Sequence, residues 1–175
     1  MIELKYFQQS DFNQLISWFN TPDFLFQWGG PNFNFPLTEQ QLEDYLRDAN
    51  KEHSNVLIYS VFDKELERVV GHISLKNIDR KNRSARVAKV IVGDENARGK
   101  GIGQNMLTEI LKVAFNELKL HRVSLGVFDF NTSAIACYEK VGFTKEGLQR
   151  DNFKNGDEYW SLVEMSILED EWNGR

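Results

Sequence analysis

Gly99, Gly101 and Gly103 alternate with Arg98, Lys100 and Ile102 in the six-residue segment Arg98-Gly99-Lys100-Gly101-Ile102-Gly103. Glycines at this spacing leave several backbone N–H groups unshielded by side chains. The segment follows a run rich in Val and Ile and precedes a stretch with helical spacing. Its bare donors therefore add to the free N–H groups and positive dipole end of a helix start, a combination that suits an anionic phosphate. Arg98 and Lys100 bring positive charge to the same place. A simple strand-to-helix turn would need the glycines but not the flanking cations, so phosphate binding is the favoured reading.

Spacing restricts which phosphate. A P-loop needs four residues between its glycines, then Lys and Ser or Thr, and this segment has neither. The dinucleotide fingerprint needs a third glycine three places after its second. Counting from Gly99 that place holds Gln104, and from Gly101 it holds Met106. Both readings fail.

A second segment, Asn131-Thr132-Ser133-Ala134-Ile135-Ala136-Cys137-Tyr138-Glu139-Lys140-Val141-Gly142-Phe143, also carries groups capable of chemistry. Cys137 beside Tyr138 could suggest a covalent acyl-cysteine, but such a thiol wants a nearby cation or histidine to lower its pKa. His53, His72 and His121 are scattered along the chain, with neither that spacing nor a metal-ligand pattern. A small buried thiol is the favoured reading of Cys137, and no metal is expected.

The elements that must hold these segments read as a mixed order. Asp11 can cap a short amphipathic stretch carrying Leu15, Ile16 and Phe19, and Pro22 interrupts it. A segment rich in aromatics, Gly and Pro follows, from Phe24 to Pro36, which could line a pocket or pack the N-terminal helices. Thr38 with Gln41 forms a capping box for a helix through Leu42, Tyr45 and Leu46. Residues 56–62 and 69–78 read as strands joined by a charged turn, and residues 87–92 as a third. These short links favour an antiparallel meander. After the glycine segment, Leu107, Ile110, Leu111, Ala114 and Leu118 mark one buried helix face. A strand at 122–128, a helix near 132–140 and two strands near 143–153 and 158–168 complete the chain. The crossover helix requires its flanking strands to be parallel within a mainly antiparallel sheet. The class is α+β, in one domain over residues 1–175, with a helical region at 1–55 and a sheet core at 56–168.

Bulk properties exclude several functions. The chain has 175 residues, 41% apolar and 27% charged, which fits a soluble globular protein. No apolar run is long enough for a bilayer, and the start lacks a basic region leading into an apolar stretch. One cysteine argues against a disulfide framework, so a cytoplasmic location is expected. A net charge of −5 opposes nucleic-acid binding and mildly favours cationic partners, although solubility alone explains it as well.

Taken together, the two segments resemble the GNAT N-acetyltransferase superfamily: Arg-x-x-Gly-x-Gly between a strand and a helix, then Asn-x-x-Ala-x-x-x-Tyr-Glu-Lys-x-Gly-Phe after a strand. The resemblance covers roughly residues 56–168. Ile78-Asp79 and Asn155-Gly156 look like the branch containing ribosomal-protein alanine and spermidine acetyltransferases. It implies a mostly antiparallel sheet with a central parallel strand pair splayed around acetyl-CoA. It further implies that Ile91 and Val92 pair with the pantetheine arm, that Arg98 to Gly103 with Gln104 hold the pyrophosphate, and that Asn131 and Ser133 lie against the cofactor. Tyr138 matches the tyrosine that protonates the CoA sulfur. The implied acceptor is a polyamine, an amino sugar or antibiotic, or a protein N-terminus, and relatives are often homodimers. Many members of this branch carry a glutamate in the strand before the glycine loop, and this sequence has none there. Asp129 and Glu158 are substitutes with a solvated-surface alternative, so the base stays unassigned. The competing reading is a non-catalytic acyl-CoA-binding module.

Overall fold

Val, Ile and Leu buried on both faces build the central strands of the sheet, and two breaks in their pairing open it. The computed structural model describes residues 1–174. Seven strands lie in the order β1-β2-β3-β4-β5-β7-β6. They are β1 (Ile2–Tyr6), β2 (Leu57–Asp63), β3 (Arg68–Asp79), β4 (Ser84–Val92), β5 (Arg122–Phe128), β6 (Thr144–Asn155) and β7 (Glu158–Leu168). Helices α1 (Phe12–Ser17), α2 (Pro22–Gly29) and α3 (Glu39–Leu46) precede β2. Helix α4 (Ile102–Leu111) links β4 to β5, α5 (Thr132–Val141) follows β5, and α6 (Glu169–Asn173) ends the fold. Every strand pairing is antiparallel except β4 with β5, as the crossover helix demands.

That parallel ladder is short. Ser84, Ala85 and Arg86 face Arg122, Val123 and Ser124, and the pairing stops there. Lys89 adopts a left-handed backbone (φ 56°), and the β3–β4 register slips between His72 and Ser74 beside it. An inserted residue bends and twists its strand. From Val87 to Val92, β4 therefore swings away from β5, and its edge on that side has no ladder partner among the described residues.

Alternation along each strand divides the core between the two faces of the sheet. One cluster joins Val61, Ile73, Leu75 and Val123 to Met106, Leu107, Ile110 and Leu111 of α4. The other holds Phe12, Leu15, Leu25, Trp28 and Leu42 from α1–α3 against Ile58 and Ile91 of the sheet. Both seal tightly, with Leu42, Ile58, Met106 and Leu107 fully buried.

The N-terminal region departs from the helical reading of residues 1–55 in two places. β1 forms an edge strand on β2; with one buried residue among its five, its alternation gives little signal. Pro22 starts α2 instead of interrupting a helix, because its missing N–H falls where a helix start has no acceptor to serve. Thr21 caps that helix through the Phe24 N–H at 3.1 Å. Asp11 makes no cap bond to α1; its carboxylate accepts from the Gln8 N–H (3.1 Å) and the Ser60 hydroxyl (2.8 Å). Thr38 caps α3 as expected, but the Gln41 side chain turns to Asn34 and Pro36 rather than closing the box. Helix α4 continues through a wider turn at Lys112–Glu117. Among the described residues, no helix is long and apolar enough to cross a membrane.

Candidate active site

The gap between β4 and β5 is a cleft, and the glycine segment closes one end of it. Gly99 (φ 74°) and Gly101 (φ 77°) both take the left-handed backbone, and Gly101 is the residue from which α4 starts. A side chain at either would enter open space, so the loop presents peptide groups to whatever lies above it. Arg98 Nε donates to the Val92 carbonyl at 3.1 Å, tying the loop to the end of β4.

Beside this loop lies a cavity of ≈ 560 Å³. Ile91, Val92, Arg98, Gly99, Gly101, Gly103, Gln104, Asn131, Ser133 and Tyr138 all line it, so residues separated by some forty positions meet at one surface. Lys100 and Ile102 do not: Lys100 is exposed, and the Ile102 side chain belongs to the core. The free edge of β4 offers N–H and C=O groups along one wall, suited to the amides of an extended arm. Left-handed glycines, a helix start and a guanidinium at the mouth fit a diphosphate. The donor set thus fits the coenzyme that the family resemblance implies.

A second cavity, ≈ 300 Å³, lies on the far side of Tyr138. Gln27, Trp28, Val90, Asn131 and Tyr138 line both cavities and form the wall they share. Asn131 caps α5, its Oδ1 accepting from the Ala134 N–H at 3.4 Å. Tyr138 sits on the buried face of α5, its ring edge-on to Phe143 at 6.1 Å. Gly142 (φ 121°) ends that helix, and the Phe143 N–H returns to the Tyr138 carbonyl at 3.0 Å. Among the described residues the Tyr138 hydroxyl has no protein partner. Burial, and secondarily Cys137, pushes this phenol well above the usual tyrosine range. It holds its proton.

Cys137 is half-buried rather than buried and lines the cleft next to Tyr138; partial burial pushes its thiol up, outweighing Lys140, the opposite of what a nucleophile needs. Asp129 lines a separate depression with Thr132 and Ile135. Glu158 is exposed and accepts from Trp160 Nε1 at 3.3 Å. Among the described residues, no carboxylate lines either cavity beside Tyr138. Trp28 and Phe24, from the aromatic stretch with two readings, do both jobs: they pack the N-terminal cluster and line the cleft. Sequence reasoning missed Gln27, Lys76, Lys89 and Phe153 in the second cavity; they carry no motif, and only the fold brings them together.

Residues 2–144 match the acetyltransferase (GNAT) domain family. Among curated proteins, the putative ribosomal N-acetyltransferase YdaF of Bacillus subtilis is 36% identical over 104 residues, 59% of this chain and 56% of that protein. The probable N-acetyltransferase YjcK of B. subtilis is 34% identical over 99 residues, 55% of this chain and 52% of that protein. The chain thus spans about half the length of each. Spermidine N(1)-acetyltransferase of Vibrio cholerae is 28% identical over 123 residues, 70% of each. In three dimensions, the spermidine N-acetyltransferase of V. cholerae solved with CoA and spermine has the same fold. Its TM-score is 0.83 at 24% identity, over 98% of both chains.

Proposed function

The chain belongs to the GNAT acetyltransferase family, and from that premise we propose that it transfers the acetyl group of acetyl-CoA to a primary amine by direct attack. One observation carries the proposal: Tyr138, with an unpartnered hydroxyl, stands in the wall between a coenzyme-sized cleft and a separate smaller cavity. Two substrates could meet there.

Acetyl-CoA, when bound, supplies an activated acyl thioester. The loop from Arg98 to Gly103 would hold its diphosphate, and the free edge of β4 at Ile91 and Val92 its arm. An N–H on that edge would stabilise charge developing on the thioester oxygen. The acceptor amine, with an ordinary pKa of about 10.4, must shed a proton before attack. With no carboxylate of the described residues lining either cavity, water hydrogen-bonded to β4 carbonyls would carry it away to solvent. Tyr138 keeps its proton at neutral pH and would donate it towards the departing sulfur. Asn131, beside it in the shared wall, would orient the arm or the acceptor's water.

Acceptors named for relatives include spermidine and aminoglycosides, and a protein N-terminus is the third class considered. A cytoplasmic location and a homodimer complete the proposal. Mixing the protein with acetyl-CoA and a panel of amines, and following thiol release, tests it. Coenzyme binding without thiol release from any amine would favour a non-catalytic acyl-CoA-binding module.

A further inference from the structure

Among the described residues, the ≈ 300 Å³ cavity beyond Tyr138 is lined by three cationic side chains, Lys76, Arg86 and Lys89, and by no carboxylate. Composition does not explain this, since the chain has 26 acidic residues against 21 Lys and Arg. Arg86 is already matched: its guanidinium pairs with Glu164, at 3.0 Å through Nη2, and reaches the Ser124 hydroxyl at 3.3 Å. Gly126 makes room for it, as a Cβ there would lie 2.6 Å from Arg86 Nη2. Lys76 and Lys89 are different. Neither has an acidic partner among the described residues, and both are half-buried.

Lys89 is held in place from two sides. The bulge in β4 turns it inward, and its Nζ donates to the Gly29 carbonyl at 3.0 Å, leaving further N–H donors free. Lys76, on β3 opposite Arg86, lines the same cavity; both lysines also border an adjoining ≈ 500 Å³ cavity, whose one carboxylate among the described residues, Asp44, is paired with Arg47. Burial, and then Lys76, draws Lys89 down to about 8. Two half-buried ammonium groups without a carboxylate partner around one small space make a favourable seat for an anion.

The geometry points to an acceptor that carries an anionic group, a compact amine bearing a carboxylate or similar acid, with Lys76 and Lys89 binding the acid while its amine faces Tyr138. This rests on the acetyltransferase reading and deepens it, since a polyamine would place further positive charge against the two lysines. The like-charge repulsion that disfavours a diamine is the same force that an acid group relieves.

The test compares ω-amino acids and ω-aminoalkyl phosphonates with the corresponding amides and diamines, over chains of two to six carbons. Turnover is read by thiol release with acetyl-CoA, and affinity by calorimetry on the CoA-loaded protein. An anionic acceptor should be preferred over its amide by about 10- to 100-fold, and over the diamine by more. The double variant Lys76→Met, Lys89→Met should abolish that preference while the thioester site still binds CoA. Thiol release with diamines or amides equal to the acids would overturn the anion site and leave the acetyltransferase reading intact. Selective, lysine-dependent binding of the acids without any thiol release would support the site and refute the activity. Preference for the acids persisting in the double variant, or no preference in either measurement, overturns the assignment.

Discussion

The phenol of Tyr45 on α3 and Nε2 of His72 on β3 meet at 2.9 Å beneath the N-terminal helices. The imidazole is 1% exposed and lies edge-on to Phe7 at 4.7 Å. Burial, with a smaller contribution from Lys89, lowers its pKa from 6.5 to about 3, so the folded protein holds it neutral. The unfolded chain takes up a proton below about pH 6.5, where the native state does not. Stability is therefore lost as pH falls from 6.5 towards 3, by about 1.4 kcal/mol per unit from this group. Denaturant titrations at pH 7 and pH 5 should show a loss about 2 kcal/mol larger in the natural protein than in His72→Gln. Equal losses would clear the imidazole of this role.

Tyr138→Phe removes one hydroxyl from the wall between the two cavities and leaves the ring's packing on Phe143 in place. Turnover should fall about 10²-fold or more, with CoA affinity in calorimetry unchanged. A parallel loss of affinity would mean that the residue serves binding rather than proton donation.

Gly101→Ala meets no steric obstacle but forces an L side chain into the left-handed region, at a cost of about 1–2 kcal/mol. The loop should relax away from this geometry and CoA binding should weaken by about tenfold. Gly147→Ala, in the exposed strand β6 where a Cβ also meets nothing, supplies the control and should bind as before.

Gly93 stands between β4 and the loop, with the indole of Trp18 lying across it. A Cβ at this position would come within 1.9 Å of the ring. Gly93→Ala should cost about 1–3 kcal/mol through overpacking, read as a lower denaturation midpoint. An unchanged midpoint would show that Trp18 rotates away freely.

Legibility in the sequence tracked how local each signal is. The glycine loop announced itself because left-handed Gly99 and Gly101 need glycine, and the capped α5 carried Asn131 and Tyr138 in a fixed spacing. Strands β2, β3 and β5, runs rich in Val and Ile between turns, lie within a residue of the sequence bounds, while β4 starts three residues earlier, at the ladder residues Ser84–Arg86. The splay of β4 was not legible, since its pivot is a left-handed lysine, a residue type that ordinarily signals nothing about backbone handedness. The same pivot turns Lys89 into the second cavity. Its companions Lys76 and Trp28 come from distant elements, so no window of sequence contains that site. Pro22 misled because a proline's meaning depends on whether it falls before a helix or within one.

The three-pair ladder between Ser84–Arg86 and Arg122–Ser124 is also a seam. Strands β1 to β4 lie on one side of it and β5 to β7 on the other, with no further rung between β4 and β5 among the described residues. An extended molecule threaded along the open stretch would stitch the half-sheets together where the chain itself does not. Whatever fills this cleft acts as mortar as well as cargo. The β4 amides beyond Arg86 that point into the cleft should then exchange hydrogen far more slowly once it is filled, while those bonded to β3 change little.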